Sequence, residues 1–327
     1  MTEPDRFVSS GSLPGRSRVQ QVLEDLHAQL ATERGGSLSQ VYPALAEADP
    51  DAFGLAVVSV TGDHVVAGDA EMPFTIMSVA KPFVFALVGE AVGVEEVRRR
   101  VGVNATGMAF NSAYAIERDP AGRTNPMVNA GAIATTAQWP GRDLEERWAR
   151  LHEALSRFAG RTLSMDDATL ASARATNHRN RGLANLLAGL GALDGEPTDA
   201  VELYTRQSCL AVTALDLAVM GATLADGGTN PLTRERVIDP ETARATLAVM
   251  TISGLYETSG DWLFDVGIPG KSGIGGGILT VSPGKGALGT FSPLLDPAGN
   301  SVRGELAARH LARTLGLDLL ASEVVGG

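Results

Sequence analysis

Phe74-Thr-Ile-Met-Ser78-Val-Ala-Lys81 is a short apolar run that delivers a serine and, three residues later, a lysine into the start of a helix. Side chains at i and i+3 share one helix face, so a neutral lysine amine there is placed to take the proton of the serine hydroxyl. A Ser-x-x-Lys pair arises by chance in many chains, and most such pairs are solvated helix surface. The setting here is different, because the chain carries twenty-four arginines and only three lysines, Lys81, Lys271 and Lys285. Arginine serves equally well for surface charge but cannot give up its proton, whereas a desolvated lysine can. Lys81 lies among Met77, Val79, Ala80, Pro82 and Phe83, so poor hydration is expected to lower its pKa and make the pair a nucleophile with its base.

Working outward, the chain before this stretch reads as a packing helix and a hairpin. Val19, Val22, Leu23, Leu26 and Leu30 repeat at helical spacing, with Gly35-Gly36 expected to end the element. Phe53 to Val60 reads as a strand, Thr61-Gly62-Asp63 as a turn, and His64 to Ala67 as the return strand. From about Val94 to Thr251 the signals are almost all helical: Leu144, Trp148, Leu151, Leu155 and Phe158 form one stripe, and Thr213-x-x-Asp216 caps a helix that stops at Gly227-Gly228. Sheet signals return at Ile268 to Val281 and Ala287 to Ser292; a turn over Asp296 to Asn300 then introduces a last helix, Arg303 to Leu315. Strands at both ends with helices between them predict an α+β fold: one antiparallel sheet built from N- and C-terminal strands, with a helical lobe inserted. The expected organisation is a flexible lead over 1–18 and a single domain over 19–320, with a sheet lobe at about 19–75 and 260–320 and a helical lobe at about 76–259. Ser78 and Lys271 sit at the junctions and are expected to face a cleft between the lobes.

Composition narrows the function classes. A chain of 327 residues, 44% hydrophobic, can bury a large core, and a net charge of −11 argues against nucleic acid or an anionic membrane as partner. A single cysteine, Cys209, allows no intrachain disulfide, which suits a reducing compartment. The first residues lack a basic, then apolar, leader, and the apolar stretch Ile76 to Val94 is interrupted by Lys81, Pro82 and Glu90; the expectation is a cytoplasmic protein. The five histidines, His27, His64, His152, His178 and His310, show no paired metal-ligand spacing, so no metal is expected.

Lys271-Ser272-Gly273 before a Gly-rich strand gains weight beside Ser78-x-x-Lys81, because penicillin-recognising enzymes use Ser-x-x-Lys early and a Lys-Thr-Gly-like strand late. Further motifs sharpen the resemblance. Val41-Tyr42-Pro-Ala-Leu-Ala-Glu-Ala-Asp-Pro50, Gly107 to Ser112, Asn125-Pro-Met-Val-Asn129-Ala-Gly-Ala-Ile133, His178-Arg-Asn180-Arg181, Tyr204-Thr-Arg-Gln207 and Gly267-Ile-Pro-Gly-Lys-Ser-Gly-Ile-Gly-Gly-Gly277 together resemble the serine-dependent glutaminase family, within a β-lactamase-like superfamily. The resemblance runs from about Val19 to the last helix. It implies a cofactor-free hydrolase that converts L-glutamine to L-glutamate and ammonia through a γ-glutamyl-serine intermediate. By motif, Ser78 is the nucleophile, Lys81 the base and Tyr256 the proton relay to the leaving ammonia. Tyr42, Asn129, Asn180 and Tyr204 hold the substrate, the N–H groups of Ser78 and Ile274 bind the oxyanion, and Lys271, Ser272 and Gly273 support the site. A homo-oligomer, dimer or tetramer, is also implied.

The chain departs from that family at one binding position. Seven residues before the asparagine that aligns with Asn180, the family usually carries a glutamate that pairs with the substrate's α-ammonium; here the residue is Ala173. Loss of one partner of a buried charged pair costs on the order of 2–4 kcal/mol of binding. Either a weak glutaminase or an amidase for a substrate without a free α-amine is expected, beside two rival readings: another serine acyl-transfer hydrolase such as a β-lactamase or esterase, and a non-catalytic binding protein. The family's Cys-Ser is Ser208-Cys209 here, and Ile274 stands for a usual valine whose backbone N–H is what counts.

Overall fold

The computed structural model describes residues 11–322. Most of the expected N-terminal lead, residues 1–10, lies outside the described residues, and α1 (Arg16–Leu30) begins soon after them. This helix stops at Leu30, short of Gly35-Gly36, because the chain beyond turns to pair Ser37 with Leu295 as an isolated bridge.

β1 (Gly54–Ser59) and β2 (His64–Gly68) form the expected hairpin. After β3 (Phe74–Thr75) come α2 (Ala80–Val92), α3 (Val94–Val101), α4 (Tyr114–Glu117), α5 (Asn129–Ala137) and α6 (Leu144–Ala159). Next are β4 (Ser164–Met165), α7 (Asp167–Thr176), α8 (His178–Gly189), α9 (Pro197–Ser208) and β5 (Leu210–Val212). The chain closes with α10 (Ala214–Ala225), α11 (Pro240–Ser253), α12 (Ser259–Val266), β6 (Gly270–Ser272), β7 (Gly277–Ser282), β8 (Gly286–Phe291) and α13 (Val302–Thr314). No single helix among the described residues is long and apolar enough to cross a membrane.

The main sheet runs β2-β1-β8-β7-β6, antiparallel throughout, so strands from the two ends of the sequence lie side by side. Its side chains alternate between two buried layers. Leu55, Val57, Ile278 and Leu288 pack with α1 and α13, whereas Ala56, Val58, Leu279, Val281 and Phe291 join the larger core on the other face. α10 crosses that second face closely, and a Cβ at Gly289 would lie 2.1 Å from the Ala214 carbonyl oxygen. Thr213 and Asp216 form the expected capping box at its start.

Within the stretch expected to be almost all helical lie β4 and β5, which join β3 in a small second sheet, β3-β5-β4, that the sequence reading misses. Its strands are two or three residues long, too short to show a period in the sequence. It matters for function because it holds the chain up to Ile76, whose N–H donates to Leu210 O at 2.9 Å just before Ser78.

Candidate active site

Ser78 occupies the middle of a 3₁₀ turn, Met77–Val79, that runs directly into α2. Met77 holds φ at +48°, a left-handed conformation that costs a non-glycine residue roughly 1–3 kcal/mol. The main anchors of this turn are β3, the Ile76 bond to β5, and the buried side chain of Met77. The late strand abuts the same turn: a Cβ at Gly273 would meet Ile76 O at 2.9 Å and Ser78 N at 3.2 Å, so only glycine lets the segment carrying Ile274 come this near. The Ile274 N–H donates to no group among the described residues.

Lys81 is buried, and its Nζ donates to Asn129 Oδ1 at 2.7 Å and to Met127 O at 3.3 Å. No carboxylate among the described residues pairs with it, and burial lowers its pKa to about 7. Asn129, the first residue of α5, passes the contact on: its Nδ2 donates to Asn180 Oδ1 at 3.1 Å, and Asn180 is hydrogen-bonded to the Tyr42 phenol. The Tyr204 hydroxyl donates to Asn129 Oδ1 at 3.2 Å. Burial raises the Tyr42 pKa to about 12 and that of Tyr204 well above its ordinary value, so both phenols are neutral. Four binding residues expected from motifs scattered between positions 42 and 204 thus form one hydrogen-bonded wall that ends on Lys81.

The facing wall carries Tyr256. Its backbone is also left-handed, at φ +53°, and its hydroxyl is hydrogen-bonded to Ser78 and reaches Ser272 O at 3.4 Å. Burial lifts its pKa to about 12. The fully buried Lys271 donates to Gly254 O at 2.7 Å and Ser272 O at 2.6 Å, with its Nζ 4.3 Å from the centre of the Tyr256 ring. Its pKa is held well below the ordinary value, first by burial and second by the nearby charge of Lys81.

Two parts of this wall have no role in the sequence reading. Phe110 lies against the Tyr256 ring with centroids 4.6 Å apart, and its carbonyl accepts from Asn129 N at 2.8 Å. Asn300, fully buried, accepts from Ser272 Oγ at 2.6 Å and donates to Thr258 Oγ1 at 2.9 Å, which ties β6 to the turn bearing Tyr256. The sequence shows only the turn that presents Asn300; the Asp296 carboxylate closes that turn by accepting from Gly299 N and Asn300 N. The quoted motif Gly107 to Ser112 marks the Phe110 loop without saying what its ring touches.

Between the walls lies a pocket that opens beside Val41 and is bounded by Tyr42, Ser78, Asn129, Asn180 and Tyr204. Its remaining side is apolar: Ala173 is buried with Leu45, Met77, Leu170 and Cys209. Ser208 donates to Tyr204 O at 2.8 Å, while the buried Cys209 thiol is pushed up to about 12.

The family model named Glutaminase matches residues 36–320. "Glutaminase 2" of Yersinia pestis is 57% identical over 317 residues, covering 97% of this chain and 93% of its own. The chain belongs to the glutaminase family. Like its relatives it hydrolyses L-glutamine to L-glutamate. Two solved structures share its β-lactamase-like fold. One, described as "Probable glutaminase ybaS", superposes at a TM-score of 0.93 with 38% identity over 94% of this chain and all of the other. The second, described as "Probable glutaminase from Bacillus subtilis complexed with 6-diazo-5-oxo-L-norleucine", gives 0.82 with 29% identity over 93% of this chain and 96% of the other. In this glutaminase Tyr42, Ser78, Asn129, Asn180, Tyr204 and Ile274 line one pocket, as does Ala173, the one residue out of keeping with a zwitterionic substrate. Lys81, Tyr256 and Lys271 are buried behind that lining, so Lys271 does not face the cleft as expected.

Proposed function

We propose that this glutaminase works through a γ-glutamyl ester on Ser78, with Lys81 as base and Tyr256 as proton relay. The observation that carries the reading is the state of Lys81. A neutral amine has two N–H donors and one lone pair, and Met127 O and Asn129 Oδ1 accept both hydrogens. The lone pair is left for the Ser78 proton, three residues earlier on the same face.

As the proton leaves, Ser78 Oγ attacks the side-chain amide carbon of glutamine. The charge that develops on the amide oxygen is received by the N–H groups of Ser78 and Ile274, on the two segments that Gly273 allows to meet. Tyr256, on the Ser78 hydroxyl, passes a proton to the amide nitrogen, which departs as ammonia. Lys271 orients Tyr256 through the shared acceptor Ser272 O. Water then cleaves the ester by the reverse proton route and releases glutamate. Tyr42, Asn129, Asn180 and Tyr204 hold the substrate, and Ser272 and Gly273 support the oxyanion strand.

The complex of the Bacillus subtilis relative with 6-diazo-5-oxo-L-norleucine supports a pocket of glutamine shape. The reading extends to a single catalytic domain over 19–320, acting without a cofactor in the cytoplasm as a homo-oligomer, dimer or tetramer; the acidic charge and single cysteine fit that compartment. Ammonia release from L-glutamine, with wild type and Ser78→Ala side by side, tests it. Turnover is expected in the first and none in the second; equal turnover overturns the assignment of Ser78.

A further inference from the structure

Glutamine brings an ammonium and a carboxylate on its α-carbon, and with its side-chain amide at Ser78 both must lie against the pocket's remaining walls. Those walls carry no carboxylate among the described residues. The polar groups present are the amides of Asn129 and Asn180 and hydroxyls such as those of Tyr42 and Tyr204, all neutral, and the rest of the surface around Ala173 is apolar. The two carboxylates whose charge reaches Cys209, Asp166 and Glu202, are committed elsewhere. Asp166 accepts from Thr75 and Thr169 at the start of α7, and Glu202 accepts from Arg174 and Arg206. The nearest guanidinium is likewise committed, since Arg174, which follows Ala173, pairs with Glu202, while Arg179, next to Asn180, donates to Asn111 O beside Phe110.

An ammonium desolvated in such a place gains no ion pair, whereas a substrate with hydrogen at that position gives up nothing on entry. We infer that the pocket takes five-carbon monoamides lacking the α-ammonium at least as well as it takes glutamine. Glutaramate is the simplest of them. The inference rests on the Ser78 reading, and the chemistry is unchanged. The Oγ–C bond forms as the C–N bond breaks, Lys81 takes the serine proton while Tyr256 protonates the departing ammonia, and water opens the ester to glutarate, its proton restoring Tyr256 as Lys81 returns the serine proton.

The test is steady-state ammonia release from glutamine and from glutaramate by wild type, Ala173→Glu and Ser78→Ala. For wild type, kcat/KM with glutaramate is expected to equal or exceed that with glutamine. In Ala173→Glu the ratio moves at least tenfold toward glutamine, chiefly through a lower KM for glutamine. Should Ala173→Glu fail to fold, product inhibition of wild type gives the same comparison, with glutarate expected to bind no more weakly than L-glutamate. Ser78-dependent turnover of glutamine with glutaramate tenfold or more poorer overturns this inference alone. No turnover of either amide by wild type overturns the Ser78 reading and this inference with it.

Discussion

The two ends of one pocket are built on opposite plans. At the reacting end the catalytic side chains are held by partners: Lys81 is bonded to Asn129 and Met127, Tyr256 to Ser78, and Lys271 to two carbonyls, with left-handed backbone at Met77 and Tyr256 held by the surrounding fold. At the other end Ala173 sits among Leu45, Met77, Leu170 and Cys209, and offers nothing to a charge. Strain and desolvated amines are expensive, and they are concentrated where bonds break. The chemistry of this enzyme is therefore tightly specified and its choice of α-substituent is loosely specified, so mutations at the two ends should act on different kinetic constants.

The sharpest contrast comes from the reacting end. Ser78→Ala removes the group that forms the ester, and kcat is expected to fall at least ~10⁴-fold, a loss of the size seen for other serine nucleophiles. Because Ser78 is only half-buried, its thermal midpoint should stay close to wild type, which differential scanning calorimetry checks.

Lys81→Met removes the base, and a loss of ~10³-fold in kcat is expected, within the usual range for general-base catalysis. In wild type only neutral Lys81 accepts the proton, so kcat/KM should climb as pH rises through about 7 and level off above it. Stability follows the same group. Its folded pKa is depressed from 10.5, so above about pH 7 the unfolded chain binds protons that the folded chain does not, and stability rises with pH in that window. Lys81→Met should weaken that slope and raise the melting temperature near pH 7; a lower melting temperature would contradict the desolvated amine.

A smaller effect is expected from Asn300→Ala, which severs the link between Ser272 and Thr258. With Tyr256 less firmly placed, kcat should drop by ~10- to 100-fold while KM changes little, since misplacement of a reacting group costs rate more than binding. Asn300→Asp keeps the acceptor toward Ser272 and loses the donor to Thr258, so an intermediate rate sharpens the assignment. Ala173→Glu is the mildest change and acts at the opposite end: KM for glutamine should fall about tenfold at nearly constant kcat, as for a charged contact made equally in ground and transition states.

The same contrast explains what was legible beforehand. Ser78, Lys81, Lys271 and the family motifs could be read because catalytic chemistry needs particular residue types at particular spacings. The long strands and the α10 cap could be read because burial and capping leave periodic or local signals. Asn300 and Phe110 carry no such signal: each acts through partners distant in sequence, Ser272 and Thr258 for one and Tyr256 for the other, and only the folded chain joins them. The β3-β5-β4 sheet was hidden by its length. Gly35-Gly36 misled because glycine marks a helix end only when nothing nearer stops the helix, and here the bridge from Ser37 to Leu295 draws the chain away sooner. Ala173 was visible as a departure, but that no other carboxylate replaces it could be seen only once Asp166 and Glu202 were found in other bonds.

The most direct measurement is an acid quench of wild-type enzyme during turnover of L-glutamine, followed by proteolysis and mass spectrometry of the segment from Phe74 to Lys81. The account predicts a γ-glutamyl group on Ser78 that appears with the first equivalent of ammonia and is absent from Ser78→Ala. A burst of ammonia with the acyl group on another residue would contradict it.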